Sequence, residues 1–283
     1  MAWTRVLLTV TTYPLPSRSY DELVCTAGVL EDGTWVRIYP VPLSFLMKLK
    51  QSGQLPVRKY TWLEVDLERR SDDFRPESHS PVNRDFDAIR VLDHVGTERH
   101  WAERKQYCLK HVYTDMAKLI ADSQDPRNLS LATFRPTKIH GLVIEREERD
   151  WKPVWTELRK QLDLFAEGAQ EEPKEMIPKL PYKFSYRFED VNGKGSTLMI
   201  EDWEIGQLFW NCLRDAGGDE AAALEKVRAK YEEAFLKDHD IHLFLGTTKT
   251  FHAMRAPNPF VIIGVFYPTL VQQTDLFDQD PPN

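Results

Sequence analysis

The clearest periodic stretch in the chain is PYKFSYRFED, in which Tyr182, Phe184, Tyr186 and Phe188 alternate with Lys183, Ser185, Arg187 and Glu189. Side chains of a strand point alternately to its two faces, so a period of two predicts a half-buried strand. Val191-Asn192-Gly193 turns it into a second strand over Thr197 to Ile200. Glu204 to Arg214 reads as a helix that stops at Gly217-Gly218, and Asp219 as the cap of another helix running to Phe235. Strands near Ile241–Leu245 and Phe260–Tyr267 complete a ββααββ order.

The amino-terminal half is β-rich. Arg5 to Thr12 has the Val, Leu and Thr content of a strand. Leu23–Leu30 and Thr34–Val41 flank Glu31-Asp32-Gly33. Asp-Gly between two such runs is a hairpin signal, because the turn needs positive φ. Thr61–Leu67 predicts another strand, followed by the Pro-containing loop SDDFRPESHSPVNRD. Ala102–Ala121 predicts one long helix, with Tyr107, Cys108, Val112, Met116 and Leu119 as its apolar stripe. Thr137–Glu145 reads as a returning strand. Asp150 caps a predicted helix over Trp151–Phe165, and acidic, Pro-containing Ala166–Pro181 reads as a linker.

Hairpin-joined strands favour antiparallel sheets. The chain is therefore read as α+β with two domains, each a mainly antiparallel curled sheet or small barrel with a few helices. Residues 1–149 form the first, with a basic aromatic hairpin and one long helix; 150–181 are helix and linker; 182–275 form the second. The element order of the first half is similar to PUA-like or OB-like RNA-binding modules, an analogy that no residue motif carries.

Composition narrows the function classes. Among 283 residues, 37 Lys and Arg stand against 44 Asp and Glu, a net charge of −7, which argues against indiscriminate coating of nucleic acid. Yet Gly33 to Leu63 holds Arg37, Lys48, Lys50, Arg58 and Lys59 and no Asp or Glu, interleaved with Trp35, Tyr39, Phe45, Tyr60 and Trp62. Rings that stack on bases beside cations that meet phosphates are the means by which single strands are held. On the strand Thr34–Tyr39, alternation places Trp35, Arg37 and Tyr39 on one face. Arg18 and Tyr20, in the upstream Pro- and Ser-rich loop, join this candidate nucleic-acid-binding set. Arg75 and Arg135, each followed by Pro, are further basic loop positions.

A second candidate lies in the carboxy-terminal half. Glu201, Asp202 and Glu204 cluster before a predicted helix, where Asp202 also suits the N-cap, and DHDIHLFLGTTKTFHAMR brings His239, His242 and His252 close in sequence. Carboxylates and imidazoles together suit a divalent or transition metal. The alternative function is accordingly a metal-dependent hydrolase, a nuclease or nucleotide phosphodiesterase, with Glu201, Asp202 and His242 catalytic and the three histidines as ligands. Against it, Lys249 and Arg255 repel a cation. No cofactor is expected otherwise. A non-catalytic module that meets a protein partner through its aromatic surface is the third reading. Three scattered cysteines form no C-x-x-C pair, and no apolar run approaches the ~20 residues of a membrane helix. The leading reading is a cytoplasmic protein that recognises single-stranded or modified nucleic acid through the basic, aromatic β surface, with no membrane association.

Overall fold

The computed structural model describes residues 3–13, 15–16, 22–42, 59–83, 88–153 and 178–270. The fold is α+β. Its first part holds β1 (Trp3–Thr11), β2 (Leu15–Pro16), β3 (Glu22–Val29), β4 (Trp35–Pro42), β5 (Thr61–Arg69), β6 (Ser78–Pro81) and β7 (Arg90–His94). Five of these close into a barrel in the order β1-β3-β4-β6-β5, with β5 returning to β1; β2 adds to β3 and β7 to β5. Every pairing is antiparallel except β4 with β6. The predicted hairpin joins β3 to β4. Gly33 takes φ 85°, and the Asp32 carboxylate accepts from the Thr34 amide at 2.8 Å, which fixes the turn. Closure satisfies edge hydrogen bonds that an open sheet would expose.

The second part begins with α1 (Glu98–Cys108), β8 (Val112–Tyr113), α2 (Met116–Asp122), β9 (Leu131–Phe134) and β10 (Lys138–Arg146). It continues with β11 (Tyr182–Glu189), β12 (Gly195–Met199), α3 (Trp203–Asp215) and α4 (Glu220–Arg228). A π-helical segment, Ala229–Ala234, leads into α5 (Phe235–Asp238); β13 (His242–Thr247), α6 (Lys249–Ala253) and β14 (Phe260–Phe266) follow. One sheet has the order β10-β11-β12 and the other β14-β13-β9-β8. The apolar face of the period-two strand behaves as its pattern dictates, with Tyr182, Phe184, Tyr186 and Phe188 all buried; on the other face Arg187 is exposed but Ser185 is buried as well. Full burial of each such side chain contributes ~1.5–3 kcal/mol. Asp202 caps α3 and Asp219 caps α4 through their side chains, as the sequence predicts.

The single long helix expected over Ala102–Ala121 is two helices separated by β8. Its apolar stripe serves two cores: Tyr107 and Cys108 pack with barrel residues, whereas Met116 and Leu119 enter the core of the second part. Asp115 restarts the helix by accepting from the Lys118 amide at 3.1 Å. Around the expected boundary at residue 149, β9 pairs with β13 and β10 with β11, so strands on either side of it share sheets. The helix over Trp151–Phe165 and the linker over Ala166–Pro181 lie largely outside the described residues. No helix among the described residues is long and apolar enough to cross a membrane.

The barrel wall is covered on both sides. Val6, Val36, Ile38, Val41 and Val65 pack together on its inner face. On the outer face Leu7, Val10, Ala27, Val29, Trp35 and Trp62 pack against Leu131, Phe244, Ile263 and Phe266 of the second part. The approach is close: a Cβ at Gly264 would stand 3.0 Å from the Phe244 ring and 3.4 Å from Val10. Trp35, only 8% exposed, meets Phe244 edge-on with ring centroids 5.0 Å apart. Trp35→Ala is expected to cost ~3–5 kcal/mol through lost burial and the cavity left behind, read as a lowered midpoint in thermal or urea unfolding. A loss under ~1 kcal/mol would show that this ring is not part of the seam.

Candidate functional site

The residues singled out in the sequence go to different places. Arg18, Tyr20, Lys48, Lys50 and Arg58 lie outside the described residues. The exposed stacking face expected of Trp35, Arg37 and Tyr39 does not form, because the face that carries Trp35 and Arg37 docks on the second part. Arg37 is 4% exposed. Its guanidinium donates to the Ser78 and Ser130 hydroxyls at 3.2 and 2.7 Å and to the Ser130 and Thr247 carbonyls at 3.3 and 3.4 Å. Glu77, also buried, accepts from the Ser130 amide and hydroxyl at 3.0 and 2.6 Å. Beside them the Arg75 guanidinium pairs with Asp73 at 2.6 Å and donates to the Thr247 carbonyl at 2.7 Å. Burial alone would raise the Asp73 carboxyl, but Arg75 outweighs it and holds Asp73 below the usual carboxylate range. Arg135, by contrast, is exposed and pairs with Asp240.

Lys59 joins a second ionic cluster across the same seam. Its ammonium donates to both oxygens of Asp202 at 2.8 Å and lies 3.1 Å from Glu204. Asp202 is fully buried and also accepts from the Glu204 amide at 3.1 Å. Burial pulls the Lys59 pKa down, but the two carboxylates outweigh it and keep the amine charged well above its ordinary range. Asp202, expected as a catalytic acid or base, is thus committed to capping α3 and to the Lys59 ammonium.

The expected metal centre is not assembled: among the described residues no three His, Cys, Asp or Glu side chains converge. His252 is buried between the Thr247 hydroxyl, at 2.8 Å, and the Ser123 carbonyl. His242 is buried near the Asp240 carbonyl, at 3.3 Å, and edge-on to Phe266. His239 lies near the Ala234 carbonyl, at 3.1 Å, between Phe235 and Tyr267. Burial lowers the pKa of both His242 and His252, which favours neutral rings used in packing.

The sequence reading missed a cavity of about 520 Å³ where the barrel meets the second part. Its walls include Val10 and Ala27 from the barrel and Leu131, Phe184, Val261 and Ile263 from the other side. Tyr13, Tyr39, Trp151 and Tyr182 supply further aromatic rings beside Phe184. Five cations, Arg37, Arg70, Arg75, Lys179 and Lys249, line it against three acids, Asp73, Glu147 and Glu201, so its balance opposes that of the whole chain. Arg37 and Arg75 are buried, while the Lys249 side chain is 49% exposed. Arg70 lies over the Tyr39 ring, 5.2 Å from its centroid, and donates to the Tyr39 carbonyl at 2.9 Å. Cys25, the one cysteine of the three that is not buried, also lines the cavity.

Glu201 reaches this wall through a short strand-like bridge. Ile200 bridges Ile262 and Asp202 bridges Thr12, while the Glu201 amide donates to the Ile262 carbonyl and its own carbonyl accepts from Tyr13. The Glu201 carboxyl has no hydrogen-bond or ion-pair partner among the described residues. Burial alone pushes its pKa up. The only sequence signal for it was membership of the Glu201-Asp202-Glu204 cluster.

Barrel, docked α+β sheet pair and the cleft between them define a two-part protein with a preformed, mixed polar and aromatic cavity at its seam. By sequence the chain belongs to the family described as Domain of unknown function (DUF8757), which matches residues 111–281; residues 2–110 match a second, Domain of unknown function (DUF8758). No curated protein matches the chain. Among solved structures it is similar to one described as a murine DNA-binding protein bound with ds DNA, at 9% identity and a TM-score of 0.29, covering 96% of this chain and 98% of that one.

The seam pair yields a pH prediction. Lys59→Met leaves Asp202 buried without its counter-charge, which is expected to cost ~3–5 kcal/mol near pH 8. Burial already raises the Asp202 carboxyl to about 6 against the pull of Lys59, and without Lys59 it rises further above its unfolded value, so the penalty is full above the folded pKa and fades as pH falls through it. Urea unfolding of wild type and variant between pH 5 and 8 checks this; a penalty that grows on acidification would contradict the ion-pair assignment.

Proposed function

We propose that this protein binds nucleic acid at the cleft between its two parts, taking an unstacked base of a single strand into the cavity. The observation that carries the reading is the cavity itself: about 520 Å³, walled by aliphatic side chains and five aromatic rings, with the Lys249 side chain half exposed to solvent. That volume falls within the ~300–1,000 Å³ of small-molecule sites. A base needs flat apolar walls and its phosphate needs cations, and stacking on a ring contributes ~1–3 kcal/mol per base. The surface expected to do this, around Trp35 and Arg37, is used for docking, and Arg37 and Tyr39 are its contribution to the cleft. A net charge of −7 favours a local site over coverage of a duplex.

Cys25 offers a direct test, because Cys108 and Cys212 are buried. A short single-stranded oligonucleotide at saturation is expected to slow alkylation of Cys25 by N-ethylmaleimide at least several-fold, followed by mass spectrometry of the intact protein. Binding should weaken with salt, with a logarithmic slope of ~0.7 per phosphate contact. Saturating oligonucleotide that leaves the alkylation rate unchanged would place binding elsewhere and overturn the cleft reading.

A further inference from the structure

Within that reading, on which this inference rests, one lining group stands apart. Asp73 is held by Arg75, and Glu147 lies 3.9 Å from Lys179, whereas Glu201 has no partner among the described residues. A half-buried carboxylate without donors bears a desolvation cost that the fold does not recover. Burial raises its pKa, and no ion pair joins it to a cation among the described residues. A ligand that brings N–H donors to it recovers that cost on binding. A cationic ligand is disfavoured, since five cations line the cavity against three acids.

We infer that Glu201 is the specificity-determining residue of the cleft and selects guanine, its carboxylate accepting the ring N–H and the exocyclic amino N–H that lie side by side on that base. An ionised carboxylate is acceptor-only, with two oxygens suited to two parallel donors. Guanine alone among the common bases presents two adjacent donors on its pairing edge. Adenine and cytosine present a donor beside an acceptor, whose lone pair would face the second carboxylate oxygen. Uracil and thymine present a single donor between two acceptors. The phosphate attached to the base meets the cationic side of the cleft, so the occupant is a guanine nucleotide unit, free or within a strand.

The test is a titration of the full chain with GMP, AMP, CMP and UMP, and with oligothymidylates carrying one central G, A or C. Intrinsic fluorescence reports binding of the mononucleotides and anisotropy that of labelled strands. Guanine is expected to bind about ten-fold or more tightly than adenine, as one bidentate pair discriminates by roughly that amount. Its affinity should fall as pH is lowered through the Glu201 titration, because protonation turns one acceptor into a donor. Glu201→Gln should abolish both the guanine preference and this pH dependence while leaving the melting temperature within about a degree or raised. Equal affinity of GMP and the G-containing strand identifies the free nucleotide as the source; binding of the strand alone identifies nucleic acid. Strands that protect Cys25 from alkylation but show no base preference, or a guanine preference that survives in Glu201→Gln, overturn the assignment and leave the cleft reading intact. Failure of every ligand to bind or to protect Cys25 overturns both.

Discussion

The relative placement of the two parts depends on burying charged side chains across their seam. Apolar contact alone, such as that of Trp35 and Val29 with Phe244 and Ile263, tolerates sliding. Arg37 does not, because its donors must meet the Ser130 hydroxyl and the Ser130 and Thr247 carbonyls. Ser130 in turn is fixed by Glu77, and the Thr247 carbonyl is shared with Arg75. Displacement by even an ångström would strand a buried charge, at a cost of ~3–5 kcal/mol. A guanidinium suits this position better than an ammonium: its planar fork reaches several acceptors at once and is less strongly hydrated.

That constraint also makes the cavity. Two convex units in contact leave a void wherever their surfaces diverge, and it stays open only if they cannot slide to close it. Arg37 and Arg75 on one side and Lys59 with Asp202 on the other pin the seam at separate points. The cavity is therefore preformed, and a ligand need not order it on binding, a saving that otherwise comes out of affinity.

Features set by neighbours along the chain were legible in the sequence. The Tyr182–Phe188 alternation, the Asp32-Gly33 turn and the Asp202 and Asp219 caps each depend on a few consecutive residues. Features set by the docking of the two parts were not. Trp35 and Arg37 alternate with Val36 and Ile38 as a half-buried strand should, and nothing local reveals that the second face is covered as well. The Ala102–Ala121 stripe fits one helix until its members are divided between two cores. Lys59 and Asp202 are 143 residues apart, and the cavity draws its walls from Val10, Leu131, Phe184 and Ile263, whose convergence no spacing predicts. The histidines looked clustered because they are close in sequence, yet strand β13 and helix α6 send His242 and His252 to different neighbours.

The docking also decides what the basic island can do. Of its described cations, Arg37 and Lys59 are consumed by the seam. On the proposed reading, phosphate attraction among the described cavity residues would fall to Arg70, Lys179 and Lys249, each oriented by a backbone carbonyl, although Asp72 pairs with Arg70 at 2.6 Å and lies 4.0 Å from Lys249, and Glu147 lies 3.9 Å from Lys179. Around them the chain as a whole carries −7. At physiological ionic strength charges separated by more than ~8 Å are largely screened from one another. Phosphates of a long strand that lie farther than this from the cleft would, on the proposed reading, gain little attraction from it. On that reading, recognition would thereby be confined to the few nucleotides at the seam, where shape and hydrogen bonding, rather than the field of the whole protein, would set the affinity.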